Sequence, residues 1–486
     1  MNLRDILFFS IISVAIRFFT SNRWRQHLVL LISILALFWL QPTTPIRYLD
    51  FWLPSLTTVI TILCWVTVTP TKYRWNYQNK CTLIATSIAI IAISLSRFIS
   101  LPMQIASIIE QRWLISATRP PQFWMVFLFL FITFSTVIFL SRLTTIRIGS
   151  AVNLEIIFLI ILLITLKQPE FLKWTSKVLR TLTNQSITST TSFDLRWLGI
   201  SYIVFRLIHT LRDHQTNRLP YSNLEEYLIF VLFFPSISAG PIDRLDRFLK
   251  DLKQPLLRNS PNDIGVGGQR LLLGLLKKFA IADTLGLIAL SPQNAIQIHS
   301  LGWMWFVLYA YSLQIYFDFS GYTDIAIGLG RLLGIRLPEN FYSPYLKNNI
   351  TQFWNNWHIT LTQWFRAYFF FPFTRYLRSS KKGLPAFSII FLTQTSTMIL
   401  IGLWHGVTWN FLLWGLWHGL GLFIQNRYSD WTNHKRLLLY NNPILRKAQD
   451  ILGVFLTFHF VTLGWVWFAL PQPTLSLHVF SFLFGF

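Results

Sequence analysis

The 486-residue sequence contains only two cysteines, Cys64 and Cys81. Two thiols provide no disulfide framework, and no metal-ligand spacing accompanies them. Charge is also scarce: 13% of the residues are Asp, Glu, Lys or Arg, where a soluble domain carries about 25%. The shortage is greatest on the acidic side, with 19 Asp and Glu against 42 Lys and Arg. Long polar stretches are missing too, the longest being about 167–193, 241–263 and 331–358. None could fold as a separate soluble domain. Together these absences exclude a soluble globular enzyme, a coiled coil and a disordered scaffold.

What is abundant is apolar: 53% of the chain is hydrophobic and 17% aromatic, with a mean hydropathy of +0.47. At about 20 apolar residues per span, this composition supplies roughly a dozen spans. The expected fold is therefore all-α, a polytopic integral membrane protein with about 11–14 membrane helices, re-entrant ones included. Residues 2–5, Asn-Leu-Arg-Asp, lead into an apolar run with no small-residue cleavage site, so the run reads as a retained first helix.

The net charge of +23 fits short cytoplasmic loops rather than nucleic-acid binding. Basic patches there would meet anionic lipid headgroups or a phosphate-bearing cytosolic ligand. Arg17, Arg23 and Arg25, then Lys72, Arg74 and Lys80, then Arg142 and Arg147 fall in alternate loops. Lys167, Lys173, Lys177 and Arg180 break the alternation, as a re-entrant segment or a surface helix would.

The chain divides by character near residue 190. Residues 1–190 read as variable, Ile/Leu/Thr-rich membrane helices with nothing resembling a site. From there to 486, Asp, Asn, His, Gly and Pro sit within apolar sequence at high density. Polar groups in lipid are costly unless paired or lining a cavity, which places function in this second part.

Three histidines there follow tryptophan: His358, His405 and His418. Imidazole moves protons near neutral pH, so a buried pair points to acid/base work, whereas any single one reads as a histidine satisfied by a carbonyl. Metal is disfavoured, because no third ligand stands at a recognisable spacing. The two Leu-Trp-His-Gly units are 13 residues apart, which on one continuous helix sets the rings roughly 140° apart. One of the two is then structural. His299, His459 and His478 have no polar company along the sequence.

Asp318 and Asp324 flank Phe319-Ser320-Gly321-Tyr322-Thr323. An unbroken helix would turn them to different faces, and a break at Gly321 would let both face inward or leave Asp324 as a cap. Phe234-Pro235 through Gly240-Pro241 reads as a helix stop and tight turn. Lys277 and Lys278 in an apolar stretch either snorkel or dock a phosphorylated ligand. Arg375, Arg378, Lys381 and Lys382 form a further basic cluster suited to a cytoplasmic loop.

The ordered motifs Phe-Pro-x4-Gly-Pro-Ile, Lys-Lys-x3-Ala-Asp, Tyr-Phe-Asp-Phe-Ser-Gly-Tyr-Thr-Asp, Phe-Trp-x2-Trp-His-Ile-Thr-Leu and Trp-His-Gly resemble the membrane-bound O-acyltransferase (MBOAT) family. The resemblance spans about residues 195–470 and is nearest to the bacterial branch, which includes proteins of alginate O-acetylation and teichoic-acid D-alanyl transfer. It implies helices around a transmembrane tunnel, a catalytic core over 191–486, and His405 and His358 at the two catalytic positions. Asp318, Asp324 and His418 sit in family-typical motifs and would take a supporting part.

The implied reaction moves an acyl group, acetyl first, from a cytosolic thioester to a hydroxyl of an envelope polysaccharide or its partner protein. Acetyl-CoA or an acyl-carrier protein is the implied co-substrate, and no bound cofactor is needed. Lys277, Lys278 and the cluster from Arg375 to Lys382 would receive the donor. Membrane lipid, that donor and an extracytoplasmic esterase-like acetyltransferase are the expected partners, in the plasma (inner) membrane, with no nucleic acid. D-alanyl transfer to teichoic acid through a carrier protein is the rival. A transporter or flippase for an envelope precursor is the rival of another class, and it would show paired halves. No such repeat is visible.

Overall fold

The requirement that backbone groups be satisfied inside lipid leaves helices or a closed barrel, and long continuous apolar runs select helices. In the computed structural model, which describes residues 2–96, 120–146, 148–257, 260–379, 383–433 and 443–485, no strand occurs among the described residues. The chain forms two units, residues 1–269 with 326–337, and residues 270–325 with 338–486.

The first unit opens with α1 (Leu3–Phe19), α2 (Asn22–Trp39), α3 (Leu49–Val68) and α4 (Tyr77–Leu95). Asn2 and Asp5 close a reciprocal capping box on α1, through bonds of 2.9 and 3.0 Å. The Thr-rich composition is accounted for in α3. Ser55, Thr57, Thr58 and Thr61 each return their hydroxyl to the carbonyl four residues back, so the hydroxyls need no other partner in the interior.

Next come α5 (Phe123–Ile146), α6 (Ile148–Thr165) and α7 (Pro169–Leu182). The axis bends by 94° between α6 and α7. α7 carries Phe171 and Trp174 exposed on one side and Lys173 and Lys177 beside them, the pattern of a helix lying in the membrane interface. The broken charge alternation falls on this bent pair. α8 (Ile200–Gln215), α9 (Leu224–Leu232), α10 (Leu245–Lys253) and α11 (Pro261–Leu275) follow.

Three arginines assigned to loops by sequence lie buried instead. Arg17, Arg25 and Arg74 are 0%, 3% and 2% exposed. Arg17 donates to the carbonyls of Arg331 and Leu332, both at 3.2 Å, and Arg25 donates to those of Leu252 and Gln254 at 2.8 and 2.9 Å. Arg74 donates to the carbonyls of Thr69 and Ser141. The reason is the set of carbonyls left without donors at helix C-termini, which a five-donor guanidinium satisfies several at a time. Arg206 does the same for the Phe-Pro-x4-Gly-Pro turn: it donates to Val231 O at 2.8 Å and to Ser236 O and Oγ at 2.8 and 2.6 Å. The turn itself begins with the short 3-10 segment Phe234–Ser236.

The second unit contains the π-helical segment Leu276–Ala282 that continues α11, most of α12 (Leu301–Leu332), α13 (Ile350–Asn356), α14 (Ile359–Phe365) and α15 (Phe371–Ser379). It ends with α16 (Ala386–His405), α17 (Trp409–Asn433), α18 (Pro443–Ala469) and α19 (Pro473–Phe484). Among the described residues five helices, α3, α4, α5, α16 and α18, are long and apolar enough to cross a membrane, six spans if α6 and α7 count as one bent span. The other long helices, α8, α12 and α17, carry buried polar groups such as Arg206, Asp324 and His418.

Removing Arg206 should leave several buried carbonyls without a donor, at about 1–3 kcal/mol each. Arg206→Met is expected to lower stability by at least about 3 kcal/mol. The exposed control Arg23→Met should change it by less than about 0.5 kcal/mol. Thermal unfolding of purified protein in detergent measures both.

Candidate active site

α16 and α17 form an antiparallel pair whose seam is lined by glycine. A Cβ on Gly415 would lie 2.6 Å from the Met398 carbonyl oxygen, and one on Gly419 would lie 2.8 Å from Cα of Thr395. Only small residues allow backbones this close, the usual basis of helix association in lipid. The chain reverses at residues 406–408, so His405 and His418 stand on different helices. The 140° separation holds only for one continuous helix, and none joins the two histidines.

His405 ends α16 half-buried. Its ring packs against Trp404, Phe468 and Trp414, with centroids 4.6, 4.8 and 5.6 Å away. His358 is buried and caps α14 with a φ of +44°, in the left-handed region. That conformation costs a non-glycine residue about 1 kcal/mol or more, and such residues gather at functional sites. Asn340 holds the turn. Its carbonyl accepts from the Ile359 N–H at 3.0 Å, and its Oδ1 accepts from the Thr360 N–H and Oγ1 at 3.2 and 2.6 Å. The His358 ring stands edge-on to Phe319 at 4.6 Å and reaches Trp404 at 6.2 Å. Trp404 therefore touches both histidines.

His418 continues the row. It is fully buried, with Trp414 at 4.9 Å and Trp354 at 5.2 Å. Neither ring nitrogen hydrogen-bonds among the described residues. Trp414 lies against both His405 and His418. Sequence reasoning picked the three histidines and overlooked the indoles of Trp404 and Trp414 that connect them; the Trp-His step marked Trp404, whereas Trp414 precedes no histidine and carried no such signal. Asn340 carried no such signal. His459, which has no polar company along the sequence, is held by Tyr309 Oη at 2.8 Å from its Nε2.

The acidic pair is arranged differently from either sequence alternative. α12 runs through Gly321 without a break. The glycine is there because α11 and its π-helical extension pass close by: a Cβ on Gly321 would lie 2.8 Å from the Lys278 nitrogen. The inserted residue of a π turn changes the angle between successive side chains, and the consecutive Lys277 and Lys278 both meet α12. Lys277 pairs with Asp324 at 2.6 Å and Lys278 with Asp318 at 2.5 Å.

Asp324 is buried and also pairs with Arg270, which in turn reaches Glu339. The side chain of Asp318 is 50% exposed. The lysines thus spend their charge on two carboxylates. Arg375 lies exposed on α15, as does Arg378, while Lys381 and Lys382 fall outside the described residues. Among the described residues no three His, Cys, Asp or Glu side chains come together as a metal cluster.

A helical membrane chain with two Trp-preceded histidines in one unit, joined through Trp404, belongs to the class of multi-pass membrane acyltransferases. The membrane-bound O-acyltransferase family profile matches residues 155–463, and the chain is a member of that family. It is 32% identical over 277 residues to a teichoic acid D-alanyltransferase of Bacillus subtilis, covering 57% of this chain and 69% of that protein. A Streptococcus thermophilus protein of the same name is 33% identical over 288 residues, covering 57% and 68%. A protein named probable alginate O-acetylase from Pseudomonas putida is 35% identical over 293 residues, covering 60% and 55%.

The two ion pairs should differ in weight. Breaking a pair at buried Asp324 leaves charge uncompensated, at about 3–5 kcal/mol, whereas the more exposed Asp318 pair contributes about 0–1 kcal/mol. Asp324→Asn is expected to destabilise the protein severely and Asp318→Asn hardly at all. Adding Lys277→Met should recover part of the Asp324→Asn loss, as a double-mutant cycle in thermal unfolding would show.

Proposed function

We propose that this protein transfers an acyl group, acetyl in the first instance, from a cytosolic thioester to a hydroxyl of a cell-envelope polysaccharide or of a partner protein acting on one. The observation that carries the reading is the placement of His358 and His405 against the same indole, Trp404. His405 acts as general base. It takes the proton of the acceptor hydroxyl as that oxygen attacks the thioester carbonyl carbon. The oxyanion so formed is met by His358, which the strained turn at Asn340 holds in place. Collapse of the intermediate expels the thiolate, which recovers the proton from the His405 imidazolium. The net change is one ester formed and one thioester broken.

Asp318, Asp324 and His418 take supporting parts: the carboxylates brace α12, on which Phe319 faces His358, and His418 backs Trp414. Residues 191–486 carry the chemistry, and residues 1–190 supply lipid-facing helices. In this reading Arg375, Arg378, Lys381 and Lys382 attract a phosphate-bearing donor, CoA or a carrier protein, on the cytosolic side of the plasma (inner) membrane. Lys277 and Lys278 are less suited to that task, because Asp324 and Asp318 already offset them. No bound cofactor enters the reaction. An esterase-like acetyltransferase on the far side would complete the transfer.

Acetyl is preferred because the closing segment Leu463–Phe468 resembles the acetylating branch, and its Phe468 packs on His405. D-alanyl transfer is the second reading, supported by the greater share of the Bacillus relative that the alignment covers. Membership of an acyltransferase family weighs against the transporter reading.

His405→Ala and His358→Ala are each expected to lower envelope acylation by about 100-fold or more, with folded protein still in the membrane. Undiminished acylation would end the proposal. Mass spectrometry of envelope glycans, with and without the gene, reports whether O-acetyl or D-alanyl esters are lost and so separates the two readings. Replacing Arg375 and Arg378 by Gln should raise the KM for a CoA or carrier-protein donor by about tenfold and leave kcat for a short uncharged thioester unchanged.

A further inference from the structure

Asn340 is fully buried, and the turn it holds accounts for only half of its side chain. Its Oδ1 accepts from the Thr360 N–H and hydroxyl at 3.2 and 2.6 Å. A backbone N–H can only donate, so the oxygen must face Thr360 and the amide cannot be flipped. Nδ2, with two N–H donors, is left on the other branch of the amide. It has no acceptor within hydrogen-bond distance among the described residues. Buried donors of this kind are rare, and each one calls for an explanation.

A second unpaired group lies on α12. Ser312 on that helix returns its hydroxyl to the Leu308 carbonyl at 3.0 Å, as the buried hydroxyls of α3 do. Thr323 is also buried, yet its Oγ1 has no partner among the described residues. It stands one turn from Phe319, on the face of α12 that meets His358. The segment carrying Asn340 runs along that face. Glu339 shares the Arg270 guanidinium with Asp324, the neighbour of Thr323. Phe341 packs on Phe319 at 5.0 Å and on Tyr316 at 5.8 Å. Asn340 falls between these two anchors, and its carbonyl takes the N–H of Ile359, one residue past His358. The unpaired amide and hydroxyl therefore both belong to the surroundings of the His358 turn, where an acceptor is missing.

The reaction proposed above supplies one. As a hydroxyl attacks a thioester, the carbonyl oxygen gains negative charge, and donors fixed in advance around that oxygen stabilise it. We propose that Asn340 Nδ2 is the second donor to this oxygen, beside His358. It donates hydrogen bonds and keeps both protons, so the bonds made and broken remain those of the acyl transfer. The inference rests on that reading and gives Asn340 a part of its own. The Oδ1 side holds the turn, and the Nδ2 side touches the substrate.

The test uses the full chain in phosphatidylcholine nanodiscs, with no acceptor, and acetyl-CoA carrying carbon-13 at the carbonyl. Infrared difference spectra compare the carbonyl stretch of bound and free donor. In the wild type the band should move to lower wavenumber, as hydrogen bonds to the oxygen require. Asn340→Asp keeps an acceptor for Thr360 and loses the donor. It should cut that shift by roughly half and lower envelope acylation in cells by about 100-fold. Should the aspartate variant fail to fold, the apolar pair Asn340→Leu with Thr360→Val keeps the volume and should show the same loss. Thr360→Val alone weakens the turn but leaves Nδ2 in place, so the full shift should remain. If Asn340 only positions His358, Thr360→Val will reduce the shift as well, and the inference fails. A shift that persists without the Asn340 amide also overturns the inference and leaves the acyl-transfer reading intact. A wild type that shows no bound carbonyl band overturns both.

Discussion

A charged group that this chain withdraws from water needs its partners within the chain, and the architecture follows from that demand. With 13% charged residues against 53% apolar ones, few buried charges are available and each has a specific task. Arg17, Arg25 and Arg206 satisfy carbonyls where helices end. Asp324 holds Arg270 and Lys277 together. In lipid no hydrophobic force draws helices together, so these bonds and the glycine seams at Gly321, Gly415 and Gly419 decide which helices meet.

The proposed site follows the same rule with a different outcome. Around His358, His405 and His418 the neighbours are mostly aromatic rings, not carboxylates. Rings exclude water and fix the orientation of the imidazoles packed on them. The acidic residues of α12 are engaged by Lys277, Lys278 and Arg270 instead. Acid pairs and histidines thus have separate roles: one set binds helices to each other, the other carries the chemistry in the reading proposed here.

Legibility from sequence varied with how local each feature was. Apolar runs marked the helices, and the charge break at Lys167–Arg180 falls where α6 bends into α7. The three histidines were visible because each follows tryptophan. The two aspartates were noticed, yet their geometry was misjudged: no helix break occurs at Gly321, because that glycine serves the close passage of the π-helical segment. A π turn has no signature that hydrophobic periodicity can detect. Arg17, Arg25 and Arg74 were misread as loop charges for a related reason, since a sequence does not reveal that a guanidinium has carbonyls to receive it.

What the sequence determined by itself was the class of protein: a shortage of charge and an excess of apolar residues require membrane helices, and the ordered motifs indicate an acyltransferase of this family. What only the tertiary structure decided was which polar groups meet. Arg17 reaches a carbonyl 315 residues away, Lys277 a carboxylate 47 residues away, and Phe468 comes to rest on His405. Periodicity reports the face on which a side chain lies. The partner across the interface depends on the register and close approach of helices distant in sequence, and those are properties of packing.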